Sequence, residues 1–145
     1  MINKIIDGSS IAINSCFGDE CEIYTESVEQ GFKEPCFSIV CLNPTIEQFL
    51  GSRYFRQNQF CIHYFPASSD KRTECYSVME KLMNALEIIE VEGEKSRGTN
   101  MHAEIVDEML HFFVNYDLFV YKQKEPVSPM ETAIYGANVK GQRYE

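Results

Sequence analysis

The stretch Thr99-Asn100-Met101-His102-Ala103-Glu104-Ile105-Val106-Asp107-Glu108-Met109-Leu110-His111-Phe112-Phe113-Val114-Asn115-Tyr116-Asp117-Leu118-Phe119-Val120-Tyr121 reads as two antiparallel strands. One strand runs from Thr99 to Val106 and a longer one from Met109 to Tyr121. Asp107-Glu108 is left as a two-residue connection, where Asp-Gly would make the better type I′ turn. Successive side chains of a strand point to opposite faces. Phe112, Val114, Tyr116, Leu118 and Val120 therefore share one face of the long strand, and Phe113, Asn115, Asp117, Phe119 and Tyr121 the other. Both faces carry aromatic rings, which predicts that helices cover one face and another subunit the other.

Upstream, Asp70 to about Ile89 is the best helix. Cys75, Val78, Met79, Leu82, Leu86 and Ile89 recur at three- and four-residue steps and form one apolar stripe. Ser69 or Asp70 is placed to cap the free N–H groups at its start. Glu90-Val91-Glu92 reads as a short edge strand and Glu94 to Gly98 as a turn. Before the helix, a strand runs from about Arg53 to Phe65 and Pro66 ends it. Phe60, Ile62 and Tyr64 lie on one side of that strand, Cys61, His63 and Phe65 on the other. Its first half, Arg56-Gln57-Asn58-Gln59, is polar and is expected to meet water.

Nearer the N-terminus, Cys36 to Leu42 is apolar at nearly every position, as a strand covered on both faces would be. Pro35 precedes it, Asn43-Pro44 marks a turn, and Thr45 to Gly51 reads as a loop or an outward-reaching hairpin tip. Glu22 to Thr25 is a short strand, followed by a polar loop from Glu26 to Glu34. Ile2 to about Ile13 is a weak helix, interrupted by Gly8-Ser9-Ser10 because glycine costs about 1 kcal/mol relative to alanine inside a helix. Residues 1–122 are read as one α+β domain. Residues 123–145, with Pro126, Pro129, Gly136 and Gly141 and no periodicity, are read as a flexible tail.

At 145 residues the chain has the length of one domain. Its formal net charge is −9, and an acidic chain repels the phosphates that nucleic-acid binders must neutralise. No basic run relieves this, since Lys71-Arg72 is only a dipeptide. No stretch approaches the 18 or so apolar residues that a membrane helix needs, and the first residues lack the apolar core of a signal peptide. The six cysteines, Cys16, Cys21, Cys36, Cys41, Cys61 and Cys75, are then expected to be reduced and to act as small buried hydrophobes.

Reaction chemistry finds little support. The cysteine pairs Cys16…Cys21 and Cys36…Cys41 do not have the close spacing of a zinc site, and no Cys-x-x-Cys exists. His63, His102 and His111 fall on strands beside aromatic residues, where a packed imidazole is the ordinary outcome. Cys61 with His63, or Cys75 with His111, has the residue types of an activated thiol, but no third orienting group accompanies either pair. No phosphate-binding glycine loop is present. The expectation is no catalytic residue, no cofactor and no metal. Arg53-Tyr54-Phe55-Arg56 is the one basic-aromatic cluster; it is too small for a nucleic-acid platform. It suits a protein interface, since Arg and Tyr are enriched at hot spots. The interface candidates are Arg53, Tyr54, Arg56, Phe113, Phe119 and Tyr121.

These motifs, taken in order, resemble the tail terminator (head–tail joining) family of long-tailed phages and prophages of Gram-positive bacteria. The resemblance runs through Val28-Glu29-Gln30-Gly31 and Glu34-Pro35-Cys36-Phe37, then Gly51-Ser52-Arg53-Tyr54 with Arg56, and Ile62-His63-Tyr64-Phe65-Pro66. It continues in Glu74-Cys75-Tyr76 and Leu86-Glu87, and in Arg97-Gly98-Thr99-Asn100-Met101. Glu104-Ile105-Val106-Asp107, Leu110-His111-Phe112-Phe113-Val114, Tyr116 and Phe119-Val120-Tyr121 complete it. It spans roughly residues 20 to 121.

The resemblance implies an α+β fold with a mainly antiparallel, twisted sheet of about five strands and two helices packed on it. It implies a subunit that is monomeric or weakly associated in solution and forms a homo-hexameric ring on the head-proximal end of the tail tube. That ring would stop tube growth, contact the major tail tube protein and offer a surface to the head connector or head-closure protein. DNA would pass through its lumen without specific binding, in keeping with the negative charge. The protein would sit in the host cytoplasm during assembly and in the virion tail afterwards. The alternatives are a head-closure or minor capsid component, and a small thiol-dependent enzyme using Cys61 or Cys75.

Overall fold

A computed structural model describes residues 1–25 and 33–122. The expected loop from Glu26 to Glu34 falls largely outside the described residues, and the expected tail, 123–145, lies wholly outside them. The fold is α+β. Its elements are α1 (Ile2–Phe17), β1 (Glu22–Tyr24), β2 (Cys36–Leu50), β3 (Arg53–Phe65), α2 (Lys71–Ala85), β4 (Ile88–Val91), β5 (Glu94–Arg97), β6 (Thr99–Val106), β7 (Met109–Asn115) and β8 (Leu118–Tyr121). A mainly antiparallel, mixed sheet has the order β1-β2-β3-β7-β6, with β8 also paired to β3; β4 and β5 form a separate hairpin. The chain divides into two compact units, residues 1–44 with 57–117 and residues 45–56 with 118 onward.

The first unit holds the core. Alternation along β7 buries Leu110, Phe112 and Val114, while Phe60, Ile62 and Tyr64 are buried on β3. The two strands pair antiparallel from Gln59↔Asn115 to Tyr64↔Leu110. Helix α2 adds Cys75, Val78 and Leu82, and Leu86 at its C-cap. Asp70 caps its start, its carboxylate accepting from Thr73 N. The expected stripe is thus correct, but the helix stops at Ala85 and Ile89 belongs to β4. Leu86 ends the turn, and Ile88 to Val91 extend to pair with Glu94–Arg97. Residues expected to form a turn are therefore the strand β5. The connection is Glu92-Gly93, with φ of 52° and 83°, the two positive values that a type I′ turn needs. Asp107 and Glu108 also have positive φ, 52° and 61°, and join β6 to β7 as the sequence predicts.

Helix α1 runs through Gly8-Ser9-Ser10 to Phe17 rather than stopping near Ile13. Gly8 serves close packing: a Cβ there would lie 2.4 Å from the backbone carbonyl oxygen of Glu90 on β4. Ile5, Gly8, Ser9 and Ile13 form the buried face of the helix, and Phe17 packs on Phe37 with ring centroids 4.9 Å apart. Tertiary packing of that face outweighs the propensity cost of one glycine.

Strand β2 also exceeds its expected end. Asn43-Pro44 is not a turn; the strand continues to Leu50, with Asn43 at φ 42°. Strand β1 flanks β2 only from Cys36 to Ser38. Among the described residues, the pairing with β1 ends before Pro44 is reached. The reversal comes instead at Gly51-Ser52, with Gly51 at φ 58°. The long C-terminal strand is interrupted once, at Tyr116-Asp117, between β7 and β8.

At that interruption one residue of the polar half of β3 departs from expectation, while Gln57 is exposed as expected. Asn58 is fully buried rather than water-facing. Its backbone N donates to Asp117 Oδ1 at 3.1 Å, its Nδ2 to Tyr116 O at 3.1 Å, and its O accepts from Tyr116 N at 2.9 Å. Tyr116, also fully buried, packs on Phe60 and donates through its hydroxyl to Leu86 O at 2.6 Å. One tyrosine thereby satisfies a helix-end carbonyl that would otherwise be an orphan.

Candidate interface and side-chain clusters

Among the described residues, the second unit holds the end of β2, the Gly51-Ser52 turn, the start of β3, and β8. Pairing of β3 with β8 sets Arg53 opposite Tyr121, Tyr54 opposite Val120, Phe55 opposite Phe119 and Arg56 opposite Leu118. By strand alternation Arg53, Phe55, Phe119 and Tyr121 share one face, and Tyr54 and Arg56 the other. On the first face the Arg53 guanidinium lies 4.1 Å from the centroid of the Phe119 ring and 5.3 Å from that of Phe49. Phe49 and Phe55 both contact Phe119, at centroid distances of 5.3 and 4.8 Å. A cation held over ring faces is attracted by their quadrupoles. On the opposite face Lys122 Nζ lies 4.5 Å from the Tyr54 ring centroid.

Five of the six interface candidates therefore belong to this unit, although about 65 residues separate their two stretches of chain. Phe113 does not. It belongs to the first unit, opposite Cys61 on β3, and stacks on His102 at 4.8 Å. The sequence reading missed Phe49 and Leu50, which are 59% and 73% exposed; Phe119 and Tyr121 are 42% and 70% exposed. Gly51-Ser52 is the signal that identifies the hairpin tip and places Phe49-Leu50 at its end. Of the two readings of Thr45 to Gly51, loop or hairpin tip, the structure has the hairpin tip.

In the first unit, Cys61 Sγ lies 3.6 Å from His63 Nε2. His111, directly opposite His63 on β7, brings its ring to 4.6 Å from that of His63. Cys75 is buried on α2. Neither thiol has the electrostatics of a nucleophile: burial, with the charge of Glu104 adding to it, pushes Cys61 up to about 11, and burial followed by the charge of Glu74 raises Cys75. A reactive thiolate needs the opposite shift. All six cysteines stand as thiols, but Cys16 is exposed and Cys21 and Cys41 are half-buried, so only Cys36, Cys61 and Cys75 match the expected packing role. Glu74 accepts from Tyr64 Oη at 2.5 Å and from the backbone N of Ala67 and Ser68 at 3.2 and 2.9 Å. These bonds tie the loop after β3 to α2.

The family model for phage tail terminator proteins matches residues 4–128. This chain belongs to the phage tail terminator protein family. It is a structural component of a phage tail. Among solved structures, the cryo-EM structure of the sheath/tube terminator of an extracellular contractile injection system (PVC), in its extended state, shares the fold with a TM-score of 0.52 at 11% identity. The match covers 90% of this chain and 60% of that one, so the chain spans about three-fifths of its structural relative. A comparison with curated proteins finds no match. Among the described residues, no helix of this tail terminator family member is long and apolar enough to cross a membrane.

Proposed function

We propose that this tail terminator protein caps the head-proximal end of the tail tube as a ring of six copies, halts tube elongation there and presents the surface to which the head joins. Contacts between copies run through the β2–β3 hairpin tip and β8. Exposure of Phe49, Leu50, Phe119 and Tyr121 within one small unit is the observation that carries this reading. Large apolar side chains grouped on a surface mark an interaction site, and the Arg53 guanidinium among the rings supplies an aromatic-arginine anchor of the kind found at hot spots.

A cyclic ring needs a second, different patch that receives the first. Ile11 and Ile88, both exposed and lining one groove with Gly8 and Ala12 in the first unit, offer that patch. The net charge of −9 suits a lumen through which DNA slides without adhering. The major tail tube protein and the head connector are the expected axial partners. Assembly takes place in the host cytoplasm.

The test is negative-stain microscopy and native mass measurement of the protein with purified tail tubes. Wild type is expected to form six-fold caps at one tube end and to stop elongation. Phe49→Ser with Leu50→Ser, or Arg53→Glu with Arg56→Glu, should abolish the caps while circular dichroism stays unchanged. Tubes that keep growing with wild type present would overturn the capping role. Binding to filled heads instead of headless tails would identify a head-closure protein. Intact caps from both folded double variants would place the interface elsewhere.

A further inference from the structure

We propose that Cys61, His63 and His111 form a mononuclear binding site for a zinc-class divalent cation on the face of the sheet opposite Phe60 and Ile62. The reading is independent of the capping role. Strand geometry creates the cluster: Cys61 and His63 are two residues apart on β3, hence on one face, and His111 is the cross-strand partner of His63. The Cys61 sulfur and one nitrogen from each imidazole lie within 4.8 Å of one another. With zinc–sulfur bonds of about 2.3 Å and zinc–nitrogen bonds of about 2.0–2.1 Å, tetrahedral coordination sets sulfur and nitrogen about 3.6 Å apart. Cys61 Sγ and His63 Nε2 stand at 3.6 Å.

A second, independent observation is the state of His111. Its Nε2 is buried and has no hydrogen-bond partner among the described residues. A buried polar atom left unsatisfied calls for an explanation, and an ion is one of the few available. Thiolate and imidazole together select zinc over magnesium or calcium, which prefer oxygen. Cys61 is buried while His63 and His111 are half-buried. Three protein ligands leave the fourth position to water. Glu104, opposite His111 on β6, adds negative potential that reaches Cys61. On binding, the metal–sulfur bond forms as the thiol proton leaves to solvent.

Cobalt(II) serves as the spectroscopic probe and zinc(II) as competitor, on the full chain carrying Cys16→Ser, Cys21→Ser and Cys41→Ser so that the more accessible thiols do not report. One cobalt per chain, with a thiolate-to-cobalt charge-transfer band in the near ultraviolet that zinc abolishes, is the expected result. Cys61→Ser should remove the band, and His63→Gln and His111→Gln should each weaken binding by more than about tenfold. Zinc should raise the Tm of the parent and not of His111→Gln. The parent and His111→Gln decide the matter even if Cys61→Ser fails to fold. No charge-transfer band on the parent at saturating cobalt, a band that survives in folded Cys61→Ser, or affinity unchanged in His111→Gln overturns the proposal.

Discussion

Replacing Asp117 by alanine probes the interruption between β7 and β8. In an unbroken antiparallel pair, opposed residues in a hydrogen-bonded pair exchange two N–H···O bonds. Between Asn58 and Tyr116 only one survives, from Tyr116 N to Asn58 O at 2.9 Å. The Asp117 carboxylate takes the Asn58 N–H at 3.1 Å, and Asn58 Nδ2 takes the Tyr116 carbonyl at 3.1 Å. Asn58 is fully buried, so in the variant its N–H loses an ionised acceptor without a ready replacement. Hydrogen bonds to charged groups contribute about 1.5–3 kcal/mol, and orphaning a buried donor costs about 1–3 kcal/mol. These describe the same loss from two sides, so the expected destabilisation is about 2 kcal/mol and not their sum. For a chain of this length that lowers Tm by about 6–8 °C. Urea unfolding followed by circular dichroism should show a lower midpoint at unchanged m. Asp117→Asn keeps an acceptor oxygen and should lose about half as much. A folded Asp117→Ala variant within about 0.5 kcal/mol of wild type, the ordinary range for surface changes, would refute the idea that this carboxylate replaces a strand carbonyl.

Glu74 gives a pH signature. Burial alone would raise its pKa, but hydrogen bonds from Ser68, Tyr64 and Ala67 outweigh burial and hold it below the ordinary 4.5. Its folded pKa is depressed, so its contribution is present above 4.5 and disappears as pH falls through the folded value; Glu74→Gln should flatten the acid limb of a stability–pH curve and leave other limbs unchanged. Tyr116→Phe should cost about 1–2 kcal/mol in chemical denaturation, because it leaves the Leu86 carbonyl without its hydroxyl donor. Glu108→Gly should raise stability by about 0.5–1 kcal/mol, since φ of 61° strains a residue with a Cβ; an unchanged or lower midpoint would count against a strained turn. Native alkylation at neutral pH should label Cys16 readily and Cys36, Cys61 and Cys75 only on unfolding, as their burial requires. Fast single-site labelling of Cys61 or Cys75 would revive the thiol-enzyme alternative.

Several elements were legible because their signals are local. The α2 stripe and its Asp70 cap need only helical spacing and one short side chain. The β6–β7 hairpin needs only alternation on either side of a two-residue connection. The span of β3, Arg53 to Phe65, follows from the alternation of Phe60, Ile62 and Tyr64 with Cys61, His63 and Phe65 and from Pro66 at its end. The ordered motifs from residue 20 to 121 were enough to identify the family, which the match over residues 4–128 shows independently.

Several of the departures from expectation depend on partners distant in sequence, unlike the local β4–β5 hairpin. Whether Gly8 breaks α1 depends on the Glu90 carbonyl, 82 positions away, which leaves no room for a Cβ. Asn58 looks water-facing until Tyr116 and Asp117 supply its hydrogen bonds. Arg53 and Phe119, and likewise Cys61, His63 and His111, meet only because β3 pairs with β8 and β7. Sequence periodicity fixes which residues share a face of one element. Cross-strand register decides which side chains from different elements share a site, and only the folded sheet sets that register.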